Sequence, residues 1–144
     1  MAYSNYDATS TNKSKRSVRL YKDLNLNFTR NPATRDVAKL QDIEAVKRAV
    51  RNLINTNEGE RPFQPRLGSG VRALLFENMT PVTETLLQDK IEETIRVYEP
   101  RAQLISVMVN GDVDRNEYLV TITFRVINLS PAPITITEFL QRLR

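Results

Sequence analysis

The stretch Tyr118-Leu119-Val120-Thr121-Ile122-Thr123-Phe124-Arg125-Val126 decides the fold class. Tyr118, Val120, Ile122, Phe124 and Val126 share one face of an extended chain, while Thr121, Thr123 and Arg125 help form the other. Such one-sided alternation belongs to an antiparallel strand with one face on a core. Downstream, Ser130-Pro131-Ala132-Pro133 breaks the pattern, and Ile134 to Phe139 alternates again as a third strand, with a last helical turn from Thr137 as the alternative. Upstream, Ile105, Val107 and Val109 alternate with Ser106 and Met108. Asn110-Gly111 reads as the turn between these strands, and the polar run to Asn116 lengthens the loop.

Helical signals precede the strands. Thr80-Pro81 offers an N-cap followed by proline at the first helical position, where its missing N–H removes no bond. Leu87, Ile91, Ile95 and Tyr98 mark one stripe, and Pro100 disfavours helical geometry at Glu99. Asp42 reads as the N-cap of an earlier amphipathic helix whose apolar face is Ile43, Val46, Val50, Leu53 and Ile54. Between them, residues 57–70 hold three of the chain's four glycines and two prolines, so they read as one long loop. Loops of that length inside a domain tend to be functional. Ser69 is placed to cap a short helix carrying Val71, Leu74 and Leu75. Near the N-terminus, Leu24, Leu26 and Phe28 alternate with Asn25, Asn27 and Thr29 as a half-buried strand. Asn31-Pro32 breaks it, and a short strand around Val37–Leu40 returns beside it. The expected fold is α+β: a small, mostly antiparallel sheet with about three helices on one face. Residues 1–15 are expected to be a flexible basic arm and residues 16–144 a single domain.

Composition narrows the function. The chain has 144 residues, enough for one self-sufficient core. It has no Cys and no His. Disulfides, thiolate nucleophiles, Cys-ligated metals and histidine-based catalysis are thereby excluded. No apolar run is long enough to span a membrane as a helix, and Met1 to Asn12 lacks the apolar core of a secretory signal. The formal charge is +4 but uneven, with residues 1–40 carrying +5 and the remainder −1. Lys13, Lys15, Arg16, Arg19 and Lys22 concentrate it. A basic arm suits nucleic acid or acidic protein, or is simply a solvated tail. The neutral-to-acidic body argues against nucleic acid.

Few residues suggest catalysis. Glu58, Glu60 and Glu77 are the carboxylates a glycosidase reading would use, yet their spacing is not diagnostic. Gly68-Ser69-Gly70 lacks the Lys-Ser/Thr ending of a phosphate loop. Asn110, Asp112 and Asp114 resemble the start of a calcium loop, but Arg115 and Thr121 stand where that loop requires Gly and Glu. No cofactor or metal is expected. Glu99-Pro100-Arg101 is more specific, because proline fixes the chain direction at a helix end. Its Arg either makes planar contacts to a partner or pins the helix-to-strand corner through Glu99. The last strand, Ile134-Thr135-Ile136-Thr137, has high β propensity on both faces. It pairs either within its own sheet or with another chain's edge.

Three motifs carry a resemblance: Glu58-Gly-Glu-Arg-Pro-Phe-Gln-Pro-Arg-Leu-Gly-Ser-Gly70, Leu75-Phe-Glu-Asn-Met-Thr-Pro81 and Tyr98-Glu-Pro-Arg101. Their order and spacing are similar to those of the baseplate wedge subunits of contractile-tailed bacteriophages, in particular the small T-even-type branch that initiates the tail sheath. The likeness covers residues 40–128 and extends to a type VI secretion baseplate subunit. It implies an α+β fold similar to the domain by which sheath subunits interlock, and a structural role in the virion without catalysis. It also implies six copies around the tube and no cofactor. In this reading Glu99, Pro100 and Arg101 dock on the helical core bundle of the larger wedge proteins. Ile134, Thr135, Ile136 and Thr137 pair with the tail sheath protein, and the tube is a further candidate contact. Arg61, Pro62, Phe63, Pro65, Gly68 and Gly70 form the family loop, with Phe63 expected in the core. Some members carry a lysozyme-like label, which makes a peptidoglycan-cleaving tail enzyme the alternative.

Overall fold

Tyr118, Val120, Ile122, Phe124 and Val126 are all buried in the computed structural model, which describes residues 21–129 and 132–141. The basic arm lies outside the described residues, as do Ser130 and Pro131 of the proline-rich break. These five side chains project from the central strand β4 (Glu117–Val126) of a three-stranded antiparallel sheet, between β3 (Ala102–Asp112) and β5 (Ile134–Gln141). The register places Ile122 between Val107 and Ile136. The third strand therefore runs past Phe139, and the helical alternative at Thr137 does not form.

Two corrections arise in β3. Its register shifts between Leu104 and Ser106, so Ile105 leaves the inner face and half of its surface is exposed, while Val107 and Val109 are buried. A bulge of this kind inserts an extra residue and resets which side chains face inward. Asn110-Gly111 is not the turn. Both residues are paired in the strand, and the reversal occurs at residues 113–116, where Asn116 has φ 57°. Gly111 serves another purpose. Its amide donates to Glu84 Oε1 at 2.9 Å, and a Cβ there would sit 2.7 Å from that oxygen. The glycine lets a helix carboxylate reach the strand's edge. Asp112 Oδ1 accepts the amides of Asp114 and Arg115, so the calcium-like residues stabilise a hairpin tip.

Helices cover the sheet's inner face. α1 (Asp42–Asn55), α2 (Val71–Leu74) and α3 (Pro81–Tyr98) contribute Val46, Val50, Ile54, Val71, Leu87, Ile91 and Ile95 to one core with the inner strand residues. Thr80 caps α3 as expected, its Oγ1 accepting the Thr83 amide at 3.2 Å. α1 departs from expectation at its start. Asp42 is the first helical residue, has φ 51°, and turns its carboxylate back to the amide of Tyr21 at 3.3 Å, while Gln41 precedes the helix without a side-chain cap. Ser69 acts one residue earlier than expected. Gly70 occupies the cap position of α2 in a left-handed conformation, and Ser69 Oγ accepts the Val71 amide from behind it.

The N-terminal segment forms a second, two-stranded sheet rather than joining the first. β1 (Lys22–Leu24) pairs antiparallel with β2 (Lys39–Gln41). Leu26 and Phe28 are not strand residues, and both are exposed. Asn25 explains this: its side chain accepts the Asn27 amide at 3.0 Å and its carbonyl the Phe28 amide at 2.9 Å, so the chain turns. The fold is thus α+β, with two small antiparallel sheets and three helices among the described residues.

Candidate docking site

The loop between α1 and α2 is closed on itself. Gly59 donates to the Pro65 carbonyl at 2.7 Å, and Glu60 Oε2 accepts the Asn57 amide at 2.9 Å. At its base, Ser69 donates Oγ–H to the Ile54 carbonyl at 2.6 Å, and its amide reaches Thr56. Gly68 is forced by contact: a Cβ would lie 2.4 Å from backbone atoms of Asn57 and Glu58. Tyr98 holds the far side, donating its hydroxyl to the Arg66 carbonyl at 2.5 Å. Tyr98 is accordingly not part of the buried stripe of α3; it stands at the rim, about a third exposed.

Phe63 overturns its expected role. Rather than packing in the core, it is fully exposed, at 102%. It has φ 69° and lies second in a turn closed by the Gln64 amide donating to the Arg61 carbonyl at 3.3 Å. Pro62 precedes it at the position proline favours, but the next position ordinarily takes Gly or Asn. Pro62 instead helps turn the chain so that Phe63 points out.

Glu99, Pro100 and Arg101 make the corner between α3 and β3. Glu99 is 5% exposed, and its carboxylate receives both arms of the guanidinium: Arg101 Nε to Oε1 at 2.5 Å and Nη2 to Oε2 at 2.7 Å. The hydrogen bond that Arg101 donates to Glu99 raises the Arg101 pKa above its ordinary value, and partial burial opposes it. Arg101 therefore stays charged at any physiological pH. Its guanidinium also lies 5.6 Å from the centre of the Tyr21 ring, which in turn hydrogen-bonds the Ile127 carbonyl. The local-pin reading of this motif is thus realised within the chain, and it leaves one flank of Arg101 open.

That flank faces a recess of about 340 Å³ lined by Asp23, Leu26, Ala49, Asn52, Leu53, Arg61, Leu67, Tyr98, Glu99 and Arg101. The structure brings together two motifs that stand forty residues apart in the chain: Arg61 of the loop and the Glu99–Arg101 corner. It also recruits Asp23 and Leu26 from the first hairpin, of which only Leu26 was expected, on a strand face. Ala49, Asn52 and Leu53 reach it from α1, whose apolar stripe periodicity does mark, whereas the loop and corner residues come from turns and element ends that no period places.

Among the sheet residues, Ile136 is buried and Ile134 half-buried, whereas Thr135 and Thr137 lie on the outer face opposite Thr123 and Thr121. β5 pairs on one side only, with β4, so its other edge is open among the described residues. Glu138 faces α1 and forms an ion pair with Arg51. The carboxylates weighed for hydrolysis are engaged locally: Glu58 lies 3.5 Å from Lys90, and Glu60 holds the loop's Asn57 amide.

Residues 40–129 match the family described as baseplate wedge protein gp25. The chain is 36% identical over 94 residues to the baseplate wedge protein gp25 of Enterobacteria phage T4, covering 65% of this chain and 71% of that one. Two solved structures share its fold. One is a chain from Geobacter sulfurreducens labelled a tail lysozyme, with TM-score 0.63 and 22% identity over 69% of this chain and 89% of that one. The other belongs to the baseplate of the anti-feeding prophage, with TM-score 0.59 and 23% identity over 86% and 87%. Motif order, fold and sequence match agree, and the chain belongs to the gp25 family of baseplate wedge proteins, structural components of the contractile phage tail.

Proposed function

We propose that this chain joins the baseplate wedge by seating a helical segment of a larger wedge protein in the recess between Arg61 and Glu99–Arg101, and that it starts the tail sheath by strand pairing at β5. The observation that carries the docking reading is the convergence of the family loop and the Glu-Pro-Arg corner on one recess that the described residues do not fill. Arg101 is already fixed by Glu99, so it meets a partner without losing side-chain freedom on binding. The edge of β5 left open among the described residues supports the second half, since unpaired main-chain groups accept an added strand. Six copies in a ring, one per wedge, would reinforce individually weak contacts; the anti-feeding prophage baseplate was determined with sixfold symmetry. The role is structural rather than catalytic. The Geobacter chain is similar to this one in fold at 22% identity, and fold alone does not carry an activity from one chain to the other.

Electron microscopy of particles from a phage lacking this chain tests the role, with lysis followed in parallel. Tubes or baseplates without extended sheath, together with normal lysis, are expected. Complete sheathed tails that fail to breach the cell wall would instead restore the hydrolase reading. Complementation with Ala49→Phe, which fills the recess without touching the ion pair, is expected to leave the melting temperature unchanged and to give baseplates without this chain.

A further inference from the structure

Phe63 sits in the turn position that favours glycine, and its side chain gains no burial from its own fold. Beside it is a second recess of about 410 Å³, lined by Phe63, Gln64, Pro65, Arg66, Leu67 and Tyr98. Leu67 and Tyr98 also line the recess of the Glu-Pro-Arg corner, so the two hollows share a wall. The charges around the loop are sorted. Glu58 approaches Lys90 and Glu60 turns inward to the loop backbone, whereas Arg61 and Arg66 are exposed and make no ion pair among the described residues. The surface is therefore an aromatic knob on a rigid turn, an apolar hollow and two unneutralised guanidinium groups.

We propose that this loop is a second anchor of the same wedge contact: Phe63 and the hollow beside it grip a large apolar side chain, while Arg61 and Arg66 take carboxylates of that segment. The occupant is thus an acidic, apolar helical segment of a wedge partner. The inference rests on the docking reading above and extends it to a defined chemistry. Three features support it. The hollow adjoins the docking recess across Leu67 and Tyr98. Arg61 and Arg66 make no ion pair among the described residues, while Glu58 lies near Lys90 and Glu60 is turned to the loop backbone. The turn that exposes Phe63 is closed by the Gln64–Arg61 and Gly59–Pro65 backbone hydrogen bonds, which lowers the backbone entropy lost on binding. Aromatic and Arg side chains of this kind are the usual anchors of protein interfaces.

The test titrates the purified full chain against wedge complexes isolated from cells infected with a phage lacking it. Phe63→Gly fits the turn better than Phe does, so its melting temperature is expected to stay equal or rise while affinity falls about tenfold or more. Arg61→Glu with Arg66→Glu is expected to weaken binding at least as much, with Arg61→Lys and Arg66→Lys close to wild type and the difference shrinking at high salt. If Ala49→Phe abolishes binding while Phe63→Gly binds as wild type, the loop is no anchor and the docking reading survives alone. If neither weakens binding, both fail. If Phe63→Gly weakens binding and charge reversal does not, the acidic partner is overturned.

Discussion

Glu99 and Arg101 pin a corner of the fold, and in the proposed docking the same pair would face the partner. A carboxylate this buried needs its partner, since removing one member of such a pair leaves the other's charge uncompensated. Arg101→Ala is therefore expected to lower stability by about 2 kcal/mol, measured by denaturant or thermal unfolding. Arg101→Lys, which keeps the charge but loses the fork, is expected to cost less. Phe63 and Gly68 mark the limits of sequence reading at this scale. The loop itself was legible from its glycines and prolines, and so was Pro62 as a turn former. The direction of Phe63 was not, because it depends on a positive φ that the residue type disfavours. The need for Gly68 follows from backbone contact with Asn57 and Glu58, which no local pattern encodes. Gly68→Ala is expected to destabilise by about 3 kcal/mol and to reduce wedge binding, with circular dichroism melts as the check.

At the scale of elements, strands and helices with one buried face declared themselves. β4 and α3 carry long, uninterrupted periodicity, and α3 is bounded by Thr80-Pro81 at one end and Pro100 at the other, so their positions followed directly. The first hairpin did not, since its Asn side chains bond the backbone and end the strand after three residues. The start of α1 was misplaced by a residue because Asp42 bonds across to Tyr21 instead of capping its own helix. β5 raises the functional question of this scale: whether sheath pairing uses its open edge or requires it to leave. Ile136, Leu140 and the Arg51–Glu138 pair tie its inner face to the core, which favours staying. Thr123 and Thr135 are directly paired, their hydroxyls 3.4 Å apart. Because the chain has no other cysteine, Thr123→Cys with Thr135→Cys creates a single cross-link that holds β5 in place. Oxidised and reduced forms are expected to start sheath equally well in complementation. Loss of sheath restored by a reductant would show that β5 must detach.

Over the whole molecule, the helices and the second sheet concentrate irregular backbone at one side of the core, where the first hairpin, the glycine-rich loop and the α3–β3 corner meet. The α+β class and the family were readable in advance, because both rest on features repeated or ordered along the chain. The recess was not, since it exists only once three non-periodic segments are folded together. The claim that unites these levels is that this recess receives a wedge helix while β5 faces the sheath. A cryo-EM reconstruction of the assembled baseplate, resolved to side chains at this subunit, tests it most directly. The expected map shows a helix of a larger wedge protein against Arg61, Tyr98 and Arg101, and a sheath strand hydrogen-bonded along the outer edge of β5. A map in which the recess opens to solvent and β5 has no added strand would contradict it.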